Sequence, residues 1–293
     1  MSEILRLGSK GAGVSAWCAR LRELGHDPGP DTGEFTDAVD RATRAFQQAR
    51  RIAADGVVGP TTRAAAQVHA PPRGVRLEDV PPLSGHLLGI DVSSHQGVID
   101  WPGMPGNVRY AYIRATHGTS VDKMWERNAS GCRVPWGAYH GMSYGSDPVE
   151  QAKAFAATVR GRGDFRPVLD FEVCRPGEKA SEAVARGVIC MREIEQRVGR
   201  RCIIYTYPSF LQRLIELGAD LSDFGARPLW IAHYITDRKT PLLKPTVPTA
   251  WKTWHVWQVA GNGYAKLANG LDVDVNWFRG SEQDLAAFEC YGE

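Results

Sequence analysis

Between Leu87 and Asp274 the chain repeats one local pattern eight times: a short apolar run that breaks on a polar or charged residue. The runs cover 87–90, 110–114, 134–139, 167–170, 202–205, 228–232, 255–258 and 271–274. Runs this short, rich in Val, Ile, Leu, Tyr and Trp, read as buried strands. Helical periodicity separates several of them. Ala152, Phe155, Ala156 and Val159 share one face, and Val184, Val188, Met191, Ile194 and Val198 share another. A shorter helix is expected over 208–217. Strand and helix alternate through the first five runs and poorly in the last three. Alternation of this kind builds parallel strands with crossover helices. The expectation for residues 87–293 is an α/β fold, a modified and irregular β/α barrel of eight strands whose helices are weak after strand five. In such a barrel the C-terminal strand ends carry the chemistry.

Residues 1–70 have a different texture. Val14, Trp17, Leu21 and Leu24 fall on one helix face, as do Val39, Ala42, Phe46 and Ala49. Thr36 and Asp37 compete to cap the second helix. The turn Asp55-Gly-Val-Val-Gly-Pro-Thr-Thr62 opens a third helix at Pro60 or Thr61, continued by 64–68. This is a small all-α three-helix domain with a thin core, suited to binding rather than catalysis. Residues 71–86 are proline-rich and aperiodic, and read as a semi-rigid linker.

Lys and Arg total 35 against 33 Asp and Glu, a net charge of +2. That balance argues against bulk nucleic-acid binding. No run of apolar residues is long enough to insert in a membrane, and the first residues lack the apolar core of a signal peptide. The six cysteines form no C-x-x-C pair and the eight histidines no H-E-x-x-H, so no metal or cofactor is expected.

The polar residues at or just after the strand ends are Asp91, Arg114, His140, Asp170, Glu172, His233, Gln258 and Asp274. Asp170-Phe171-Glu172 ends the fourth run. The strand period of two puts both carboxylates on one face and Phe171 on the other. The pair can be a rim ion pair with Arg114 or Arg175. It can equally be an acid and its partner, with Glu172 holding a proton because Asp170 lies beside it. Asp91 either caps a turn that Gln96-Gly97 shapes, or joins the site. Asp272, Asp274 and Asn276 share a face, with Asp274 nearest the rim and Asp272 open between the two roles. Trp101, Tyr139, Tyr144, Tyr205, Tyr207, Trp230, Tyr234, Trp254 and Trp257 supply aromatic surface that suits sugar rings. About half belong in a core, and Trp230 and Trp257 stay open between core and cleft.

These residues carry two resemblances. Val14-x-x-Trp17-x-x-x-Leu21-x-x-Leu24-Gly25, Gly33-x-Phe35-Thr36, Phe46-Gln47 and Asp55-Gly56-x-Val58-Gly59-Pro60-x-Thr62 resemble the three-helix peptidoglycan-binding domain of cell-wall hydrolases. Trp17 stands where leucine is common there, and Cys18 where glutamine is. Asp91-x-Ser93-x-x-Gln96-Gly97, Gly137-Ala-Tyr139-His140, Pro167-Val-Leu-Asp170-x-Glu172, Ile204-Tyr205-Thr206, Leu229-Trp230-Ile-Ala232 and Asp274-x-Asn276 resemble, in order, a family 25 glycoside hydrolase. Gly141-Met142 departs from it, since many relatives carry an aromatic residue there.

The second resemblance implies an N-acetylmuramidase, cutting the β-1,4 bond from N-acetylmuramic acid to N-acetylglucosamine in bacterial peptidoglycan. It implies Glu172 as acid/base, Asp170 as its partner, and Asp91 and Asp274 in the same cleft, with Tyr139 beside the sugar. Tyr205, Trp230, Trp257, Gln96 and His140 are further expected substrate contacts. Together the two parts resemble a bacteriophage endolysin, a monomer held in the host cytoplasm until a separate pore-forming protein admits it to the wall. Two other readings stay open. One is a metal-dependent wall amidase or peptidase using His140, His233 and a carboxylate. The other is a wall-binding protein without catalysis.

Overall fold

The computed structural model describes residues 4–24, 26–49, 52–67, 75–80, 83–234 and 244–290. They fall into two compact units, residues 4–67 and the remainder.

The first unit has three helices, α1 (Ala12–Glu23), α2 (Asp37–Ala49) and α3 (Pro60–Gln67). Val14, Trp17, Leu21, Leu24, Val39, Ala42 and Phe46 are buried together with Leu5, Phe35 and Val58. Thr36 caps α2, its hydroxyl accepting the Val39 N–H at 3.5 Å, which leaves Asp37 in the first turn. The unusual Trp17 fits because Thr43 takes its indole N–H at 2.9 Å while Phe46 meets its ring edge-on at 5.6 Å. One buried amide holds the signature turn. Gln47 Nε2 donates to Asp55 Oδ1 at 2.8 Å and to the Val57 carbonyl at 3.0 Å, and Oε1 accepts the Gly56 N–H at 2.8 Å. Gly56 sits at φ +74°, where a Cβ would fall onto the Asp40 carboxylate. Helix α3 opens at Pro60, and Val68 lies outside the described residues.

The second unit contains strands β1 (Val75–Arg76), β2 (His86–Val92), β3 (Val108–His117), β4 (Ser120–Val121), β5 (Trp136–Gly141), β6 (Val168–Asp170), β7 (Ile203–Thr206), β8 (Leu229–Ala232), β9 (Val256–Lys266) and β10 (Asp272–Arg279). Around it lie α4 (Trp125–Gly131), α5 (Pro148–Val159), α6 (Ala180–Val198), α7 (Pro208–Glu216), α8 (Ser222–Gly225) and α9 (Glu282–Cys290). All eight expected strands form and close into a barrel in the order β2-β3-β5-β6-β7-β8-β9-β10. Neighbours from β2 to β9 are parallel, and β10 runs antiparallel to both β9 and β2. This reversal is the irregularity that the sequence pattern shows near its end. Only residues 267–271 join β9 to β10, too few for a parallel crossover. The alternation also starts late: β2 and β3 are joined by a loop with one 3-10 turn, Ser94–Gln96, and no α-helix. Helix α4 has no apolar period and buries only Trp125 and Asn128, which is why the pattern misses it. Residues 75–80, inside the stretch expected as a linker, pack on the barrel through Leu77 and Val80.

Strand alternation divides the apolar residues into two layers. Ile90, Ile113, Leu169, Ile204, Ile231 and Trp257 face the helices. Tyr110, Tyr112, Val168, Tyr205, Trp230 and Phe278 fill the barrel interior, with Leu285 of α9 joining them. Two glycines make room for the tyrosines. A Cβ on Gly89 would lie 2.2 Å from the Tyr110 ring, and one on Gly137 would lie 2.4 Å from the ring of Tyr112. The interior below the mouth is therefore a packed aromatic floor rather than a pore.

Candidate active site

The carboxylates reach the mouth by strand parity. Asp170 ends β6, beside Gly141 of β5 and Tyr205 of β7. The next N–H, that of Phe171, still pairs with the Tyr205 carbonyl at 2.9 Å, so the extended conformation carries past the strand end. Phe171 turns outward against Phe210 and Phe224, at ring distances of 5.3 and 5.0 Å. Glu172, two residues beyond Asp170, is partly buried, and a continued strand period would put it on the face of Asp170. On the far side, the antiparallel register sets Asp274 of β10 directly opposite Asp91 of β2.

Tyr139 of β5 ties these groups together. Burial, with the charges of Asp91, Asp170 and Asp274, pushes its phenol far above the usual range, and only Arg114 opposes them. Tyr139 therefore keeps its proton among three carboxylates. Behind it Asp91 is buried at 6% exposure. Its Oδ2 accepts Gln258 Nε2 at 2.8 Å and Asn276 Nδ2 at 2.7 Å. Arg114 donates to Asp122 at 2.8 Å and to the Ser94 hydroxyl at 3.1 Å, and Asp122 also accepts the N–H groups of Ser94 and Met124. Those bonds hold the Asp122 carboxyl below the usual range in spite of its burial. One ion pair thereby pins the loop after β2 and the β3–β4 hairpin to the rim.

Other expected site residues land elsewhere. His140 follows Tyr139 on its strand and so faces the opposite way. It is fully buried against Phe155 of α5, with Nδ1 2.8 Å from the Thr116 hydroxyl, and burial lowers its pKa to about 3. Trp257 likewise faces the helix layer, its indole N–H bound to the His233 carbonyl at 2.6 Å. Gln96 spends its side-chain oxygen on the Ser93 N–H and hydroxyl, so it shapes its own turn, with Gly97 at φ +69°. Trp230 and Tyr205 are inside the barrel but buried at 1% and 5% exposure, too enclosed to stack on a sugar. Asp272 is exposed and paired with Lys266 at 2.6 Å. The tryptophans of the aromatic set lie within the layers. The aromatic residues left partly or largely open around the mouth are Tyr139, Tyr144, Tyr207 and Tyr234.

His140 and His233 do not converge. His233 Nδ1 instead accepts the Thr246 N–H at 2.9 Å. Among the described residues no three His, Cys, Asp or Glu side chains gather in a metal-holding group. Sequence reasoning missed Asp122 and the pairing of Gln258 with Asp91. The available signal for Asp122 was an acid and a base flanking a hairpin turn at Gly118, with Arg114 on one arm.

Residues 90–267 match the family described as Glycosyl hydrolases family 25, and residues 10–66 match the one described as Putative peptidoglycan binding domain. The chain is 30% identical to Lysozyme M1 of Streptomyces globisporus over 228 residues, 71% of this chain and 72% of that one. The bacterial lysozyme of Streptomyces coelicolor superposes with a TM-score of 0.60 at 27% identity, covering 72% of this chain and all 100% of that chain. A family 25 glycosyl hydrolase of Bacillus anthracis gives 0.55 at 27% identity, covering 71% of this chain and 94% of that one. With an irregular eight-stranded barrel, an acidic mouth and this extent of match, the chain belongs to glycosyl hydrolase family 25.

Proposed function

We propose that the protein is a muramidase that cleaves the β-1,4 bond between N-acetylmuramic acid and N-acetylglucosamine in bacterial peptidoglycan. What supports the reading is Asp170 at the end of β6, in one mouth with Asp91, Asp274 and Tyr139, and Glu172 two residues further along, which the strand period puts on the same side. Family membership and the lysozymes among its relatives support it.

Glu172 protonates the glycosidic oxygen as the bond to the anomeric carbon breaks. The carbonyl oxygen of the muramic acid's own 2-acetamido group attacks that carbon, giving an oxazolinium-like ring. Asp170 orients the acetamide and stabilises its positive charge. Water, deprotonated by Glu172, then opens the ring with retained configuration. The substrate serves as nucleophile, one of the exceptions to the two-carboxylate scheme. The three-helix unit holds the enzyme on its polymer and the barrel unit, with residues 75–80 packed on it, cuts it. The protein works as a monomer in the manner of a phage endolysin. It waits in the host cytoplasm for a separate pore-forming protein to admit it to the wall. Among the described residues no helix is long and apolar enough to cross a membrane.

Glu172→Gln, tested for release of reducing sugar ends from purified walls, is expected to lose about 10²- to 10⁴-fold in turnover with its melting temperature unchanged. Full activity in that variant would end the assignment. In the wild type, NMR during turnover should show the β-anomer first. An α-anomer would replace the assisted route by direct attack of water with inversion.

A further inference from the structure

The barrel interior contains a set of buried amides that the cleavage mechanism does not employ. Gln258 and Asn276 are 1% and 0% exposed, and both point their N–H groups at one oxygen of Asp91. Their own oxygens are occupied in turn. Trp230 Nε1 donates to Asn276 Oδ1 at 2.8 Å, while the hydroxyls of Tyr205 and Tyr234 donate to Gln258 Oε1 at 2.9 and 3.1 Å. An indole nitrogen only donates. Asn276 must therefore turn its oxygen toward Trp230, and its NH₂ is left facing Asp91. A flipped Asn276 would place two donors together at one end and two acceptors at the other. Asp91 Oδ2 consequently faces the N–H of Asn276, with that of Gln258 beside it, and a proton on that oxygen would point straight at Asn276.

We propose that Asn276 and Gln258 are positioning residues that lock Asp91 in one orientation as a permanent anion, with Trp230 setting the direction of the relay. Asp91 then contributes charge and an acceptor oxygen to the site and carries no proton through the cycle. Hydrogen bonds to the ionised form of a carboxylate favour that form. The titratable groups that face Asp91 among the described residues include Tyr110 and Tyr112 of β3, Tyr139 of β5 and Asp274 of β10. The phenols of Tyr110 and Tyr139 are held neutral, by burial first and by the Asp91 charge in addition. Asp274, directly across the strand pair, is the group that must accommodate a fixed neighbouring charge. The inference rests on the reading of this mouth as the cleavage site.

The test is the carboxyl ¹³C shift of Asp91, followed by NMR in selectively labelled full-length protein and assigned with Asp91→Asn. In the wild type it should not titrate between about pH 4 and 8, the window into which an isolated buried carboxyl is displaced. Asn276→Asp keeps the shape and the Trp230 contact but sets a second carboxylate oxygen where an N–H donor stood. A titration should then enter that window, because two abutting carboxylates cannot both stay ionised. The acidic limb of kcat should rise with it by about one pH unit or more, a tenfold change in proton affinity. Gln258→Glu asks the same question from β9. Titration of Asp91 within the window in the wild type would overturn the proposal. So would a folded Asn276→Asp or Gln258→Glu protein whose Asp91 shift and pH limb match the wild type. The carboxyl titration needs no turnover, so a wild type that failed to cut walls would count against the muramidase reading alone.

Discussion

At the scale of single residues, direction of facing decides function, and adjacent residues can share nothing. Tyr139 and His140 stand side by side in the sequence, yet one looks into the acidic mouth and the other into the helix layer. His140 has a measurable consequence of another kind. Burial lowers its pKa from 6.5 to about 3, and that of His255 to about 4. Both are neutral in the folded protein and take up protons on unfolding once the pH falls below about 6.5. The unfolded state then binds more protons, so their contribution to stability is complete above pH 6.5 and is lost as pH falls toward each folded value. The slope is about 1.4 kcal/mol per pH unit for each histidine. Melting temperature measured from pH 7 to pH 4 should therefore decline, and His140→Gln should flatten the decline whatever its effect at pH 7. An unchanged slope would mean that His140 is already charged in the fold. Residue identity alone also left Asp91 ambiguous between a turn cap and a site acid, because its amide partners lie 167 and 185 residues away.

At the scale of elements, the eight strands were legible because each is a short apolar run, and Asp170 at the end of the fourth was legible because that run breaks on it. Strand parity, applied from Tyr139 or Gln258, would have turned His140 and Trp257 away from the cleft. Two features were beyond reach. The pairing of Asp274 with Asp91 depends on β10 running backwards into the barrel, and the Arg114–Asp122 pair depends on a hairpin whose second strand is two residues long. Glu172 depends on an element behind it. Phe171 is wedged against α6 at Gly187, where a Cβ would come within 3.0 Å of the Phe171 ring and 2.7 Å of that of Phe224. Gly187→Ala should overpack this contact and cost about 1–3 kcal/mol in thermal or denaturant unfolding. Because Phe171 precedes Glu172, the proposed acid, kcat on soluble glycan fragments should fall further than KM rises. Unchanged kcat in a destabilised variant would show that Glu172 is positioned independently of α6.

At the scale of the molecule, each unit has its own core, and each core is organised around polar side chains that the apolar pattern does not announce. In the first it is Gln47, which clamps the Asp55–Thr62 turn; in the barrel it is the relay from Trp230 through Asn276 to Asp91. The binding unit and the barrel lead to the same polymer from independent matches, residues 10–66 and 90–267. The central claim is the bond that this polymer loses. Purified peptidoglycan digested with the full chain, reduced with borohydride and analysed by mass spectrometry should carry every new reduced end on muramic acid, with peptide stems intact. New ends on N-acetylglucosamine, or free stem peptides released from intact glycan, would contradict it.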